Sequence, residues 1–106
     1  MVKRFDVYLV NLDAEVSKNA KNTRPCVVIS PDEMNRNIVS IIIAPLSSAA
    51  AKYPTRVNVN FLNNDRMIVL DQLRTVDKER LVKKIGEIDK AAQIETIDRL
   101  QEMFAE

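Results

Sequence analysis

The sequence predicts a mainly β domain with a helix at its C-terminal end, an α+β protein built on one strongly curved antiparallel sheet. Two short β-branched runs, CVVIS and IVSIIIA, are bounded by turn residues, as buried strands are. Two other segments alternate apolar and polar residues, as half-buried strands do. The chain end instead repeats apolar residues at helical spacing. A length of 106 residues fits one domain, residues 1–106.

The first half of the chain is predicted to hold three strands. Lys3–Val10 alternates with period two and reads as a half-buried strand. The polar stretch Asn11–Arg24 is a long loop, and long loops in small domains often carry function. Pro25–Ser30 and Ile38–Ala44 are predicted to be central strands buried on both faces. Pro31 begins a single helical turn between them.

The middle of the chain predicts a hairpin after a second loop, Leu46–Thr55. Arg56–Leu62 alternates again and is expected to form the fourth strand. Asn63, Asn64 and Asp65 form the turn, since Asn and Asp tolerate positive φ. Arg66–Leu70 is the fifth strand, and a short one follows at Leu73–Val76.

Two helices are predicted at the C-terminal end. Asp77 caps the first, which runs to Ile85 and is ended by Gly86, the single glycine of the chain. Asp89 caps the second. The apolar residues that recur along this second helix, and that we expect to pack on the sheet, are Ile94, Ile97, Leu100 and Phe104.

Composition excludes several kinds of chemistry. The chain has no histidine, so the usual general base and the commonest metal ligand are missing. The one cysteine, Cys26, allows no intrachain disulfide and reads as a small core residue. One glycine cannot build a glycine-rich phosphate loop. We therefore expect no cofactor and no metal.

The apolar runs and the charges bear on location and partners. No run approaches the roughly 20 apolar residues of a membrane span, and no signal peptide is evident, so a soluble, cytoplasmic protein with no membrane association is expected. Residues 1–85 carry 14 basic and 9 acidic side chains, whereas residues 86–106 carry 2 basic and 6 acidic. A basic body is compatible with a surface that faces nucleic acid, and also with an ordinary mixed surface.

The polar residues that remain as candidates for chemistry stand at strand ends and in the segment Val69–Asp77. On pattern alone Arg24 reads as a surface arginine at a strand end, and the serines read as turn residues. Polar side chains near the fifth strand can equally hold a turn by hydrogen bonds to the backbone. The candidates are Arg24, Ser47, Ser48, Asp71, Gln72, Arg74 and Thr75.

Taken together, these segments resemble the MazF/PemK family of bacterial toxin–antitoxin ribonucleases. The segments are FDVYLVNLD, TRPCVVISPDEMN, IIIAPLSS with a following YPTRV, and DQLRTVDKERL before the final helix. They cover nearly the whole chain. The order of RPxxVIS, AP with hydroxyls and DQxRTVD is more specific than any one of these motifs.

The resemblance implies an SH3-like antiparallel β-barrel of the CcdB/MazF/PemK type. It also implies a homodimer that cleaves single-stranded RNA without a metal, and a cognate MazE-like antitoxin that binds across the RNA groove. The family's catalytic arginine and threonine correspond to Arg24 and, with Pro45 as the anchor, Ser47. The residues that we expect to contact RNA are Lys18, Lys21, Thr23, Ser48, Lys52, Asp71, Gln72 and Arg74.

The sequence departs from the family pattern at the start of the first strand and at one of the catalytic positions. Phe5 stands where many members have glycine, and Ser47 stands where threonine is usual. Two alternatives to the ribonuclease remain at this point. One is a non-enzymatic poison of DNA gyrase, as in CcdB, acting through the C-terminal helix. The other is a catalytically degenerate member that only binds RNA or an antitoxin.

Overall fold

Seven strands form one antiparallel sheet in the computed structural model, which describes residues 1–13 and 22–106. The strands are β1 (Asp6–Asn11), β2 (Thr23–Val28), β3 (Ser40–Ser47), β4 (Arg56–Phe61), β5 (Asn64–Val69), β6 (Arg74–Asp77) and β7 (Leu81–Glu87). A short helix, α1 (Asp32–Asn37), joins β2 to β3, and α2 (Lys90–Phe104) follows β7. The predicted mainly β fold with a C-terminal helix is confirmed.

The sheet turns at β3, which pairs with two different strands along one edge. The strand order is β4-β5-β3-β2-β1-β7, and β6 pairs with β3 outside this path. The first half of β3 pairs with β6, from Ser40 opposite Asp77 to Ile43 opposite Arg74. Its last two residues pair with β5, Leu46 opposite Ile68 and Ser47 opposite Met67. The sheet therefore curls around β3, as the sequence predicts.

Both faces of the central strands carry apolar clusters. In β2, Val27 belongs to the larger cluster, which packs against α2, whereas Cys26 and Val28 belong to a second cluster on the opposite face. Along β3, Ile41 and Ile43 join this second cluster, and Leu46 joins the larger one. The prediction that these two strands are buried on both faces is confirmed, because their continuous apolar runs supply a core residue on either side.

The predicted helix from Asp77 to Ile85 is wrong. A 3₁₀ turn, Lys78–Arg80, is followed by β7, which pairs with β1 in an irregular antiparallel register. The unpaired edge of β1 offers a ladder of backbone hydrogen bonds, and this tertiary pairing outweighs the local helix propensity of so short a segment. Gly86 is consequently a strand residue opposite Val7 and does not end a helix.

The final helix begins where the sequence predicts but presents a different face to the sheet. The Asp89 carboxylate accepts a hydrogen bond from the Ala92 N–H at 2.8 Å, which is the predicted cap. Ile94 and Phe104 are exposed, so their predicted packing is wrong. The side of α2 that faces the sheet carries Ala92, Thr96 and Met103 together with Leu100, whose predicted packing is confirmed. Small side chains at the first two of these positions let the helix approach the sheet closely.

Two tight turns use backbone conformations that ordinary side chains rarely adopt. Phe5 has φ 75°, and its backbone bonds to Val28 and Ile88 hold the start of β1 in place. Glycine would adopt this conformation without the steric cost of a Cβ, about 1–2 kcal/mol, so Phe5 carries a backbone strain that a glycine would not. The β4–β5 hairpin turns at Leu62 and Asn63, with φ 50° and 63°, one position before the predicted turn.

Candidate active site

Arg24 and Ser47 lie on neighbouring strands, β2 and β3, whose bounds differ from the predicted ones. β2 begins at Thr23 and β3 continues to Ser47, so both candidate residues belong to strands and not to loops. The antiparallel register pairs Val28 with Ile43, Val27 with Ala44 and Cys26 with Pro45. Continued for two residues, this register brings Arg24 opposite Ser47.

Arg24 and Ser47 also belong to the same face of the sheet. Side chains alternate along a strand, so Arg24 shares a face with Cys26 and Val28, and Ser47 shares one with Ile43. Cys26, Val28 and Ile43 all lie in the second cluster. The guanidinium and the hydroxyl therefore project from one surface, at the edge of that cluster.

A second arginine, Arg74, joins this surface. Its strand partner is Ile43, and it follows the same alternation as Val76 of the second cluster. Burial raises the pKa of the Cys26 thiol to about 11, against the opposing influence of Arg74 and Arg24. Two cations thus lie close to the Cys26 thiol. The thiol stays protonated near neutral pH and is no nucleophile, in agreement with its predicted role as a core residue.

Arg24 is available for a ligand. Its side chain is exposed, and it forms no side-chain hydrogen bond or ion pair with the residues that the structure describes. Ser47 is half-buried, and its Oγ accepts a hydrogen bond from the Ala49 N–H at 3.2 Å. This bond directs the Ser47 oxygen toward the turn and leaves the hydroxyl proton free to be donated.

Asp71 is engaged in holding the loop that follows Ser47. Its carboxylate accepts bonds from Arg56 Nε at 3.2 Å, Arg56 Nη2 at 3.3 Å and Thr55 Oγ1 at 3.0 Å. The hydrogen bonds from Arg56 hold the pKa of Asp71 below its usual value. Arg56 also donates to the Ala51 carbonyl oxygen at 2.8 Å and lies over the Tyr53 ring. The two ends of this loop are therefore tied to the sheet.

The other residues expected to contact RNA are spread around this region. Thr23 is exposed and pairs with Asn11 beside Arg24, and Ser48 is exposed directly after Ser47. Gln72 is exposed on the 3₁₀ turn between β5 and β6. Lys52 lines a cleft of about 420 Å³ together with Tyr53, Arg56 and Arg99. The expectations for Lys18 and Lys21 concern positions outside the described residues.

Sequence reasoning missed two arginines that the fold brings into the region of Ser47. Arg56 fixes the loop, as described above. Arg66, on β5, lines a depression of about 160 Å³ that Ser47 and Ser48 also line. Both arginines stand in alternating strands where a polar residue is ordinary, so the sequence pattern gives no signal that would single them out.

The described ranges, 1–13 and 22–106, contain no group of three or more carboxylates, thiols or imidazoles placed to hold a metal ion. Within the same ranges no helix has the length and apolar character to cross a bilayer. The arrangement that is present consists of arginines and hydroxyls on an exposed edge of a rigid sheet. Such groups bind phosphate oxygens, because a guanidinium can donate two parallel hydrogen bonds to them.

A curled β sheet with arginines and hydroxyls at one edge suits the binding of phosphodiesters. Comparison with known proteins identifies the family. Residues 3–104 match the model of the family described as PemK-like, MazF-like toxin of type II toxin-antitoxin system. Endoribonuclease MazF of Staphylococcus epidermidis is 33% identical over 106 residues, which cover 94% of this chain and 88% of that protein. Endoribonuclease EndoA of Bacillus subtilis is 37% identical over 95 residues, 84% of this chain and 82% of that protein.

Solved structures share the fold at lower sequence identity. MazF of Deinococcus radiodurans superposes with a TM-score of 0.78 at 20% identity, covering 99% of this chain and 97% of that one. A mycobacterial endoribonuclease in complex with its cognate antitoxin gives a TM-score of 0.81 at 19% identity, with coverage of 96% and 93%. This chain belongs to the PemK-like, MazF-like family of type II toxin–antitoxin toxins.

Proposed function

We propose that this chain is a MazF-type endoribonuclease toxin that cleaves single-stranded RNA without a metal, with Arg24 and Ser47 as its catalytic residues. The observation that carries the proposal is the β2–β3 register, which sets these two residues opposite each other on one face. Family membership and the names of its relatives, endoribonucleases MazF and EndoA, support the activity. Rigid strands on both sides suit a site that must hold its groups in fixed positions.

The chemistry follows from the residue types. The 2′-hydroxyl of one nucleotide gives up its proton and attacks the adjacent phosphorus, so that a P–O2′ bond forms. The P–O5′ bond breaks, and the leaving 5′-oxygen takes up a proton. The products are a 2′,3′-cyclic phosphate and a 5′-hydroxyl end. The Arg24 guanidinium can hold two phosphate oxygens and stabilise the charge that develops in the pentacoordinate transition state. The Ser47 hydroxyl donates a hydrogen bond to the phosphate or relays a proton to the leaving oxygen.

The remaining parts of the proposal concern assembly and location. We expect one toxin domain to act as a homodimer in the cytoplasm, where a MazE-like antitoxin with an acidic segment covers the RNA site. The charge distribution supports such a partner, because the body of the chain is basic and its C-terminal part is acidic. Thr23, Ser48, Lys52, Gln72 and Arg74 are proposed to contact the RNA. The same proposal extends to Asp71, whose carboxylate is about one-third exposed although it is bound to Arg56.

The direct test is incubation of the purified protein with a long RNA in excess chelator. We expect a small set of discrete fragments, because a guanidinium and a hydroxyl need no metal. Mapped ends should carry a 5′-hydroxyl and, on the upstream fragment, a cyclic phosphate. Absence of cleavage at every protein concentration, or cleavage that stops when chelator is added, would refute a metal-independent ribonuclease.

Changes at Ser47 test the second catalytic residue. Ser47→Ala removes the hydroxyl and is expected to lower kcat for cleavage by about 10²-fold, the usual loss for one transition-state donor. Ser47→Thr keeps the hydroxyl and restricts its rotamer, so activity should equal or exceed that of the unchanged protein. Ser40→Ala, at the opposite end of β3, serves as the control and should alter kcat by less than about threefold. Equal activity of Ser47→Ala and the unchanged protein would remove Ser47 from the catalytic pair.

Because Phe104 is exposed, a non-enzymatic poison of DNA gyrase is the second candidate function. Its side chain is 73% exposed at the end of α2, and so it is available to a protein partner. A gyrase-stalling assay distinguishes the two functions. Stalled cleavage complexes with intact RNA would favour the poison, whereas cleaved RNA with normal gyrase turnover favours the ribonuclease. A third reading, a degenerate member that only binds, predicts binding without cleavage and recovery of cleavage in Ser47→Thr.

A further inference from the structure

Arg66 is a buried donor without an acceptor, beside the serine end of the candidate active site. Its Nε atom is buried and finds no hydrogen-bond partner among the described residues. Arg66 also takes part in none of the ion pairs that these residues form. A buried N–H of a charged group without an acceptor is destabilising, so its retention calls for an explanation.

The register locates Arg66 next to Ser48. β5 pairs with the end of β3 through Leu46 opposite Ile68 and Ser47 opposite Met67. Continued by one residue, this register sets Arg66 opposite Ser48. The depression that Arg66 lines with the two serines agrees with this placement. Arg24 lies on β2 and Arg66 on β5, which pair with opposite edges of β3. Arg66 alternates with Ile68 and so starts from the other face of the sheet, and it meets the serines at the depression that it lines with them.

A second depression shares Asn58, Asp65 and Arg66 with the first. It has a volume of about 380 Å³, and Lys52 and Asn58 contribute a cation and an amide to its lining. The one carboxylate that lines both depressions belongs to Asp65, which accepts a hydrogen bond from Asn60 Nδ2 at 3.2 Å. The cationic groups therefore outnumber the anionic one along a path that leads from Ser47 past Arg66 to Lys52.

We propose that Arg66, assisted by Lys52, binds a phosphate of the RNA backbone next to the phosphate that is cleaved. The inference rests on the proposed ribonuclease function and adds a substrate-positioning residue to it. A phosphate oxygen in the depression accepts hydrogen bonds from the accessible part of the Arg66 guanidinium, and this planar group suits such an oxygen better than an ammonium does. The contact holds the strand in register and carries no base information.

The test compares Arg66→Gln with Arg36→Gln, a matched change at an exposed arginine of α1. The probe is a short 2′-O-methyl RNA that contains a mapped cleavage site and cannot be cleaved. Loss of one phosphate contact should reduce the slope of log K against log salt by about 0.7 and weaken binding about fivefold at 0.1 M salt. Arg36→Gln should change neither quantity. In cleavage assays Arg66→Gln should raise KM by about fivefold and leave kcat within about twofold.

Three results would overturn this proposal. The first is a salt slope for Arg66→Gln that equals the slope for Arg36→Gln. This result counts against the proposal even if Arg66→Gln lowers the melting temperature of the protein. The second is a changed cleavage sequence, which would indicate a base contact. The third is a loss confined to kcat.

Arg66→Lys keeps the charge and should retain the salt slope with a smaller loss of affinity. If the unchanged protein cleaves no RNA, the proposed function fails, and titration of poly(U) with the same variants tests Arg66 separately.

Discussion

Replacing Arg24 by alanine is expected to lower kcat/KM for RNA cleavage by about 10³-fold, or about 4 kcal/mol of transition-state stabilisation. Removal of a guanidinium that holds a reacting phosphoryl group has effects of this size in other enzymes. The loss should fall mainly on kcat, because the negative charge on phosphorus increases as the 2′-oxygen attacks. Quantified cleavage of a defined RNA under single-turnover conditions measures it.

The fold should survive this change, since Arg24 is exposed and bonds to no described side chain. We expect Arg24→Ala to change the free energy of unfolding by no more than about 0.5 kcal/mol, as ordinary surface substitutions do. Arg24→Lys keeps the charge without the two-pronged geometry and should recover only part of the activity. Arg36→Ala provides a matched control with full activity. Undiminished cleavage by folded Arg24→Ala would disprove the assignment.

Gly86→Ala is expected to destabilise the protein by about 3 kcal/mol. A Cβ at this position would lie 3.0 Å from both Cε1 and Cζ of the buried Phe61 ring. The backbone there has φ 153°, which L residues rarely adopt, so strain of about 1–3 kcal/mol adds to the overlap. A lowered urea midpoint with an unchanged m-value measures the loss.

A control for Gly86 lies in the same strand. Lys83→Ala changes an exposed side chain of β7 and should alter stability by less than about 0.5 kcal/mol. Phe61→Leu combined with Gly86→Ala should cost less than the sum of the two single changes, because the smaller side chain removes part of the overlap. A value for Gly86→Ala as small as that for Lys83→Ala would show that the strand accommodates a side chain here.

The sequence predicted the strands that carry strong local patterns. The runs around Val27 and Ile43 are continuous and β-branched, and their burial on both faces follows from that composition. The segment Asp77–Ile85 was misassigned because its charges and leucines suit a helix as well as a strand. Its pairing with β1 is a long-range contact that no local pattern records.

The candidate site was predictable to a similar degree. Arg24 stood out through the family resemblance, and its nearness to Ser47 follows from antiparallel pairing of adjacent strands. The boundaries differ, since both residues lie within strands. Arg66 could not be foreseen, because its importance depends on β5 pairing with the end of β3 and on one buried nitrogen atom.

The places where the chain leaves the sheet bear on which substitutions can alter RNA recognition. Asn11 and Thr23 are paired, so the segment between them leaves and rejoins the sheet beside Arg24. The segment between Ser47 and Arg56 departs from the same strand end and is fastened by Asp71. On the proposed function, the groups that break the RNA belong to strands, whereas residues 48–55 lie between strands. Substitutions among residues 48–55 are then expected to change which RNA is bound while Arg24 and Ser47 keep their positions.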